Sequence, residues 1–303
     1  MSTKFFANLF LFVLIFVFSK PLPATNIITA CALLKSKGNP YGLESRLLRS
    51  LDLNKVRPNK IARLSPSVVR IDLENQLKLV LRPHYVHGND TKFEHFAALF
   101  FNSAPGIATP EVSVRSLPIP LAKLIQPYFK PDSYQYLMIE SMAPMIASVS
   151  LFYETTVGAD YLLNEHNNFS LSNVPWRELP ENLRVQLADH WAMHAVLAIN
   201  DFHPYNWLIN NGRVLTIDLA YRSREFDTGK ISFESSHSPV REAVYVGSEF
   251  YDIISDISPD MRNFLRTVSA EQVQEIAETT EFSITKKQLE GIIARARFLL
   301  YSI

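Results

Sequence analysis

Three polar side chains stand at intervals that chemistry can use. In NDFHPYNWLI, residues 200–209, Asp201 precedes Asn206 by five residues, and Asp218 follows twelve residues later in TIDLA. The amide of Asn206 and the carboxylate of Asp218 are hard oxygen donors, of the kind that hold Mg²⁺ against substrate phosphates. Asp201, in the same loop, is placed to take a proton from an attacking hydroxyl. The same residues also suit a plain helix-exit turn followed by a strand, since Asp and Asn are frequent turn formers. A second pair, His190 and His194, shares a helix face at i, i+4, as metal-ligating histidines do. A metallohydrolase is one reading of that pair. Trp191 stands where a metalloprotease carries its Glu, which favours simple packing.

These residues need elements to position them. LPENLRVQLADHWAMHAVLAI, residues 179–199, carries Leu183, Leu187, Trp191, Ala195 and Ala198 at helical spacing, and predicts a helix ending at Ile199. NWLI and RVLTID read as two short strands joined across NNG, a hairpin signal. A hairpin returns its ends to one place, so Asn206 and Asp218 are expected side by side. Upstream, SPSVVRIDLENQLKLVLRPHYV, residues 65–86, predicts another hairpin, turning at ENQ. TKFEHFAALFFN, residues 91–102, predicts a helix with Thr91 as N-cap, and PEVSVRSLP and YQYLMIE predict further strands. Two helices are expected around 259–280 and 284–302, with SAEQ as a capping box. The sum is an α+β chain, β-rich first and mainly helical afterwards. The two parts meet near 140–147, a seam suited to a ligand cleft.

Composition sets outer bounds. The 303 residues are 47% hydrophobic and 20% charged, a globular balance with material for one large or two modest cores. Thirty basic and thirty acidic residues cancel, so no electrostatic footprint for nucleic acid exists. Lys4 precedes FFANLFLFVLIFVF, residues 5–18, an apolar run of 14 that is shorter than a bilayer span. Residues 1–30 therefore read as a signal peptide, cleaved near Ala24 or Ser19, or as a membrane anchor. The first reading places the chain in the secretory pathway, periplasm or outside; the second tethers it to a membrane. Cys31 is the only cysteine, so no internal disulfide forms. Two glycosylation sequons, at Asn89 and Asn168, are near chance frequency and decide nothing.

The loop D-F-H-P-Y-N-W-L-I followed by I-D-L-A resembles the catalytic loop and metal-binding motif of the protein-kinase-like superfamily. The resemblance is to its atypical branch: type II phosphatidylinositol 4-kinases, bacterial persistence-toxin kinases and secretory-pathway kinases. It implies a two-lobed fold, with an N-lobe over residues 50–146 and a C-lobe over 147–303. It implies ATP with Mg²⁺ or Mn²⁺ as cofactors, and phosphate transfer to a hydroxyl of a protein or lipid. Asp201 would be the catalytic base, and Asn206 and Asp218 the metal ligands. Upstream, Arg82 in LKLVLRP stands where the family carries its phosphate-binding Lys, with Glu94 as its helical partner. Val80 would roof the adenine, and Glu140 and Met142 would lie at its edge. ITKKQLEGIIARARFLL resembles the closing helix of several bacterial kinase-like proteins.

The chain departs from the pattern in four places. Arg82 replaces Lys, and a planar guanidinium is not equivalent to a compact ammonium; Lys78 shares its strand face. ARLSPS, residues 62–67, stands where a Gly-rich loop would be. Asn200 precedes the catalytic Asp, and Ala220 takes the position of the Gly after the metal Asp. These leave two alternatives open: a pseudokinase that binds and scaffolds, and a transferase of AMP on the same fold.

Overall fold

The computed structural model describes residues 48–301, apart from 75–76, 86–88, 143, 154, 159, 161–175, 200, 203, 211, 221 and 229–249. The N-terminal run, Cys31, Asn168, Asn200 and His203 lie outside the described residues.

The first layer is a five-stranded antiparallel sheet in the order β1-β2-β3-β5-β4. Strands β1 (Pro58–Ser65), β2 (Val68–Leu73) and β3 (Lys78–Tyr85) form a meander. The chain then makes helix α1 (Asn89–Ser103) and strand β4 (Val112–Ser116). Two short helices, α2 (Ile119–Ile125) and α3 (Tyr134–Glu140), lead into β5 (Met145–Leu151). Period-2 alternation divides the sheet's faces. Leu79, Leu81, Ala147 and Val149 are buried in a core shared with Leu121 and Ile125 of α2 and with Met138 and Ile139 of α3. Val80, Arg82, Ser148 and Ser150 face the other way, into a cleft.

The predicted β2–β3 hairpin is present, in register Val69↔Leu81 to Asp72↔Lys78. The strand expected at YQYLMIE is instead helix α3. Ser133 caps it, its side chain accepting from the Tyr136 N–H, and Met138 and Ile139 face the core while Tyr134 and Leu137 face out. The capping serine and the 3.6-residue period outweighed the strand-like composition. The last strand is MIASVSL, where Ala147, Val149 and Leu151 alternate with Ser148 and Ser150. It belongs to the first sheet and carries it five residues past position 146. Thr91 is no N-cap: it lies inside α1, fully buried.

The second part is helical around a small hairpin. Helix α4 (Glu181–Val196) leads to β7 (Trp207–Asn210) and β8 (Arg213–Thr216), with β6 (Thr156–Val157) alongside β7. Short helices α5 (Arg224–Thr228) and α6 (Phe250–Asp256) precede α7 (Pro259–Thr267), α8 (Ala270–Thr279) and α9 (Lys286–Tyr301). The helix expected over 259–280 is thus two helices. Ser269 caps the second, accepting from the Gln272 N–H as the SAEQ box predicts.

The apolar side chains of α1 belong to this second core, not to the first. Phe93 packs edge-on against Phe226 and Phe282, Phe96 stacks on Phe282, and Phe100 meets Phe264. No helix among the described residues is long and apolar enough to cross a membrane. Five-stranded sheet, cleft-side helix and helical lobe together make a two-lobed α+β fold, β-rich first and helical afterwards.

Two buried histidines set a pH dependence. Burial pushes His190 down to about 3, opposed by a hydrogen bond with the Val214 backbone, and burial with the Arg49 charge pushes His95 down to about 4. The His190 Nδ1 lies 3.0 Å from Thr216 Oγ1, while its Nε2 is buried without a hydrogen-bond partner. Below an unfolded-state value of about 6.5 the unfolded chain takes up protons that the folded chain refuses, so stability falls with pH. Each histidine is expected to remove about 1.4 kcal/mol per pH unit below that point. Urea unfolding at pH 7, 6 and 5 measures the slope, and His190→Gln is expected to lower it by about one histidine's share.

Candidate active site

The loop of Asp201 begins at the end of α4. The chain leaves that helix through a Schellman turn: the Ile199 N–H reaches the His194 carbonyl at 2.9 Å, and the Ala198 N–H the Ala195 carbonyl at 3.1 Å. Ala198 takes the left-handed conformation (φ 50°) usually given to glycine there. The helix therefore stops at Val196, three residues before the expected Ile199. The freed Val196 carbonyl accepts from Arg295 Nε at 2.7 Å, so the closing helix α9 braces the base of the loop. At the far end, Pro204–Asn206 form a 3₁₀ turn that runs into β7. A Cβ on Gly158 would come within 2.8 Å of the Pro204 carbonyl oxygen and 2.9 Å of Trp207 Cβ. Only glycine lets β6 approach this closely.

The β7–β8 hairpin closes with Asn210 paired to Arg213, and Gly212 before Arg213 has φ 72°. Its register, Trp207↔Thr216, brings Asn206 beside Ile217, whose N–H donates to the Asn206 carbonyl at 3.0 Å. Asn206 Nδ2 donates to the Asp201 carbonyl at 3.0 Å, which fixes the amide plane and leaves Oδ1 as its acceptor end. Thr216 is held from two sides, by His190 at its hydroxyl and by the Thr109 hydroxyl, which donates to its carbonyl at 2.6 Å. Asn102 clamps Thr109 through both backbone groups, at 3.0 and 3.1 Å. Asp218, just beyond, has φ 59°. Aspartate tolerates the left-handed region better than most residues. Ala220 is not in that region, so the missing glycine imposes no strain there.

Between the sheet and this hairpin lies a cleft of about 480 Å³. Leu64, Val68 and Val80 line it from the sheet, and Leu208 and Ile217 from the hairpin. Its polar end gathers Arg82, Glu94, Asn206 and Asp218. The Arg82 guanidinium sits 2.6 Å from Asp218 Oδ1 and 3.9 Å from Glu94 Oε1. Burial alone would lower the Arg82 pKa, but Glu94, Asp218 and Asp201 together hold it above its ordinary value. Burial raises the Glu94 carboxyl; Arg82 and the Ser148 hydroxyl oppose this, and Asp218 reinforces it. Asp201 does not line the cleft, but its charge acts on Arg82.

Glu140 and Met142 do not line the cleft. Glu140 ends α3, and Met142 is exposed in the turn after it, on the sheet's other side. The end of β5 and the segment that follows line the cleft instead, through Leu151, Phe152, Tyr153 and Thr155. The serine alternation in MIASVSL was the signal for this strand and its exit. Leu208 is likewise a cleft residue rather than core. His194 packs between Phe101 and Phe202, each ring centroid 5.0 Å away. No group of three or more His, Cys, Asp or Glu suited to a metal occurs among the described residues, which leaves a zinc-type site at His190 and His194 without a third ligand.

A divalent cation fits this end of the cleft by donor chemistry. Asp218 and Asn206 Oδ1 are hard oxygens on adjoining backbone. A cation held there would share Asp218 with Arg82, which contacts Asp218 Oδ1 at 2.6 Å.

No family model matches the chain, and no curated protein matches it. Among solved structures it is similar to the Helicobacter pylori proinflammatory kinase CtkA, at 12% identity and TM-score 0.45, covering 80% of this chain and 91% of that one. It is also similar to the Golgi casein kinase, at 11% identity and TM-score 0.42, over 84% of this chain and 74% of the other. The kinase domain of maize SIRK1 bound to AMP-PNP matches at 15% identity and TM-score 0.34, over 83% and 89%.

Proposed function

We propose that the chain is an ATP-dependent phosphotransferase acting on a hydroxyl acceptor of a protein or lipid. One observation carries this: a lipophilic cleft of about 480 Å³ ends in a cation, two carboxylates and an amide drawn from four separate elements. In this reading the adenine lies under Val80, with Phe152 and Tyr153 at its edge. Arg82, oriented by Glu94, binds the phosphates. Asn206 and Asp218 hold Mg²⁺ or Mn²⁺, which supplies neutralisation of phosphate charge when bound. Asp201 orients the acceptor hydroxyl and takes its proton. Rate then comes from positioning and fixed charge rather than covalent chemistry. The N-terminal run supports delivery to a secretory compartment or membrane.

Incubating the full chain with ATP labelled on the γ- or α-phosphate, with Mg²⁺ or Mn²⁺, tests the proposal. Transfer of γ-label is expected, and Asp201→Asn is expected to slow it by about 10²–10⁴-fold. Transfer of α-label instead would make the chain an AMP transferase. A pseudokinase is the second reading, favoured by the 2.6 Å contact that places Arg82 on the metal carboxylate. Nucleotide binding without any label transfer would select it.

A further inference from the structure

We propose that the outer face of α2 and α3 rests on a lipid bilayer. Ile119, Leu124, Tyr128, Tyr134, Leu137 and Met142 are each between 36% and 53% exposed. They are six of the ten large hydrophobic side chains so exposed among the described residues, and all fall within residues 119–142. That concentration marks a surface rather than scatter. Both helices bury one face in the sheet's core, through Leu121 and Ile125 and through Met138 and Ile139, and turn the other outward.

The upstream chain identifies the occupant. Residues 1–47 join the fold at Leu48, on this same layer. Arg115 of β4 donates to the Leu48 carbonyl and, at 2.9 Å, to that of Leu51. Leu48 and Leu53 are buried in the core that holds Leu117 and Leu121. The upstream stretch carries the 14-residue apolar run at 5–18, followed by 29 residues before Leu48. Extended, such a linker reaches up to about 95 Å, so it does not restrict contact. Fourteen residues are fewer than the roughly 20 that cross a bilayer, and a single weak anchor needs a second contact to hold stably. The patch supplies it, with Tyr128 and Tyr134 suited to the headgroup level. Lys123 and Lys130 are offset by Asp132 and Glu140, all exposed, so the contact is apolar rather than electrostatic. The cleft opens on the other face of the sheet and stays accessible, so this inference does not depend on the nucleotide reading.

The test uses the full chain carrying Leu124→Trp, with the wild-type fluorescence subtracted, and phosphatidylcholine vesicles with brominated acyl chains. Quenching of the added indole is expected, while Phe298→Trp on α9 remains unquenched. Leu137→Glu is expected to weaken vesicle binding about tenfold, and 0.5 M salt, with a screening length of about 4 Å, leaves it unchanged. Circular dichroism of each variant checks its fold. Four results would overturn the proposal: no vesicle binding, a vesicle-bound chain whose residue-124 reporter is unquenched, a blue shift without vesicles that grows with protein concentration, or one that disappears when residues 5–18 are removed. The last two assign the patch to a second copy and to the chain's own N-terminal run.

Discussion

Asp218→Ala is expected to abolish Mg²⁺-dependent nucleotide binding, with a loss of about 10²-fold or more in affinity and transfer. In the proposed reading metal and guanidinium would converge on Asp218, and among the described residues no other carboxylate lines the cleft except Glu94. The metal-free arm of the same measurement is equally informative. In the wild type Arg82 is held by Asp218 at 2.6 Å. Removing that partner frees the guanidinium for phosphate, so ATP affinity without Mg²⁺ is expected to rise while the Mg²⁺-dependent part vanishes. Asp218→Asn keeps the shape and removes the charge, and is expected to behave as the alanine variant does. Thermal shift with ATP, with and without Mg²⁺, reads both arms. An unchanged Mg²⁺-dependent shift in Asp218→Ala would sink the assignment.

Arg82→Ala is expected to destabilise the fold by about 3 kcal/mol near neutral pH, because it leaves Glu94 buried beside Asp218 with no cation. Its pH dependence identifies the cause. The Glu94 carboxyl already lies above its usual range, chiefly through burial, and Arg82 is what restrains it. Without Arg82 it rises further. A carboxyl raised in the folded state binds protons there more readily than in the unfolded chain. The contribution of Glu94 to stability is therefore greatest at low pH and falls as pH rises from the unfolded value, about 4.3, through the folded one. The deficit of Arg82→Ala relative to wild type should shrink on acidification, and chemical denaturation at pH 5 and pH 8 measures it. Arg82→Lys restores charge but not the two-partner reach of the guanidinium, and is expected to recover part of the loss. A deficit that does not vary with pH would assign the effect to lost packing.

The hairpin that carries Asn206 and Asp218 was legible because NNG demands a tight turn and because period-2 strands on either side fix its register. The pairing of Arg82 with Glu94 is a contact between a strand and a helix, and no local pattern encodes it; a resemblance had to suggest it. The edge of the cleft was misplaced for a definite reason. YQYLMIE has strand-like composition, yet the Ser133 before it is a helix cap. The serines of MIASVSL, which face the cleft, alternate with a fully apolar face, and that alternation is the pattern of the strand at the cleft's edge. Helix boundaries failed where side chains from afar decide them: Arg295 caps α4 from α9, and sequence near Val196 holds no sign of it. His190, Asn102 and Thr109 are likewise visible only in three dimensions, as a hydrogen-bonded chain that sets the β8 strand before Asp218.

The aromatic anchoring of α1 has a mechanical consequence. Its phenylalanines lock it to Phe226, Phe264 and Phe282, so Glu94 travels with the helical lobe, as Asp218 does. Arg82 travels with the sheet. Were the sheet to hinge away from the lobe below, one side chain would part from both carboxylates at once. Arg82 would then be a latch across that joint, with the Ser148 hydroxyl on Glu94 as its companion.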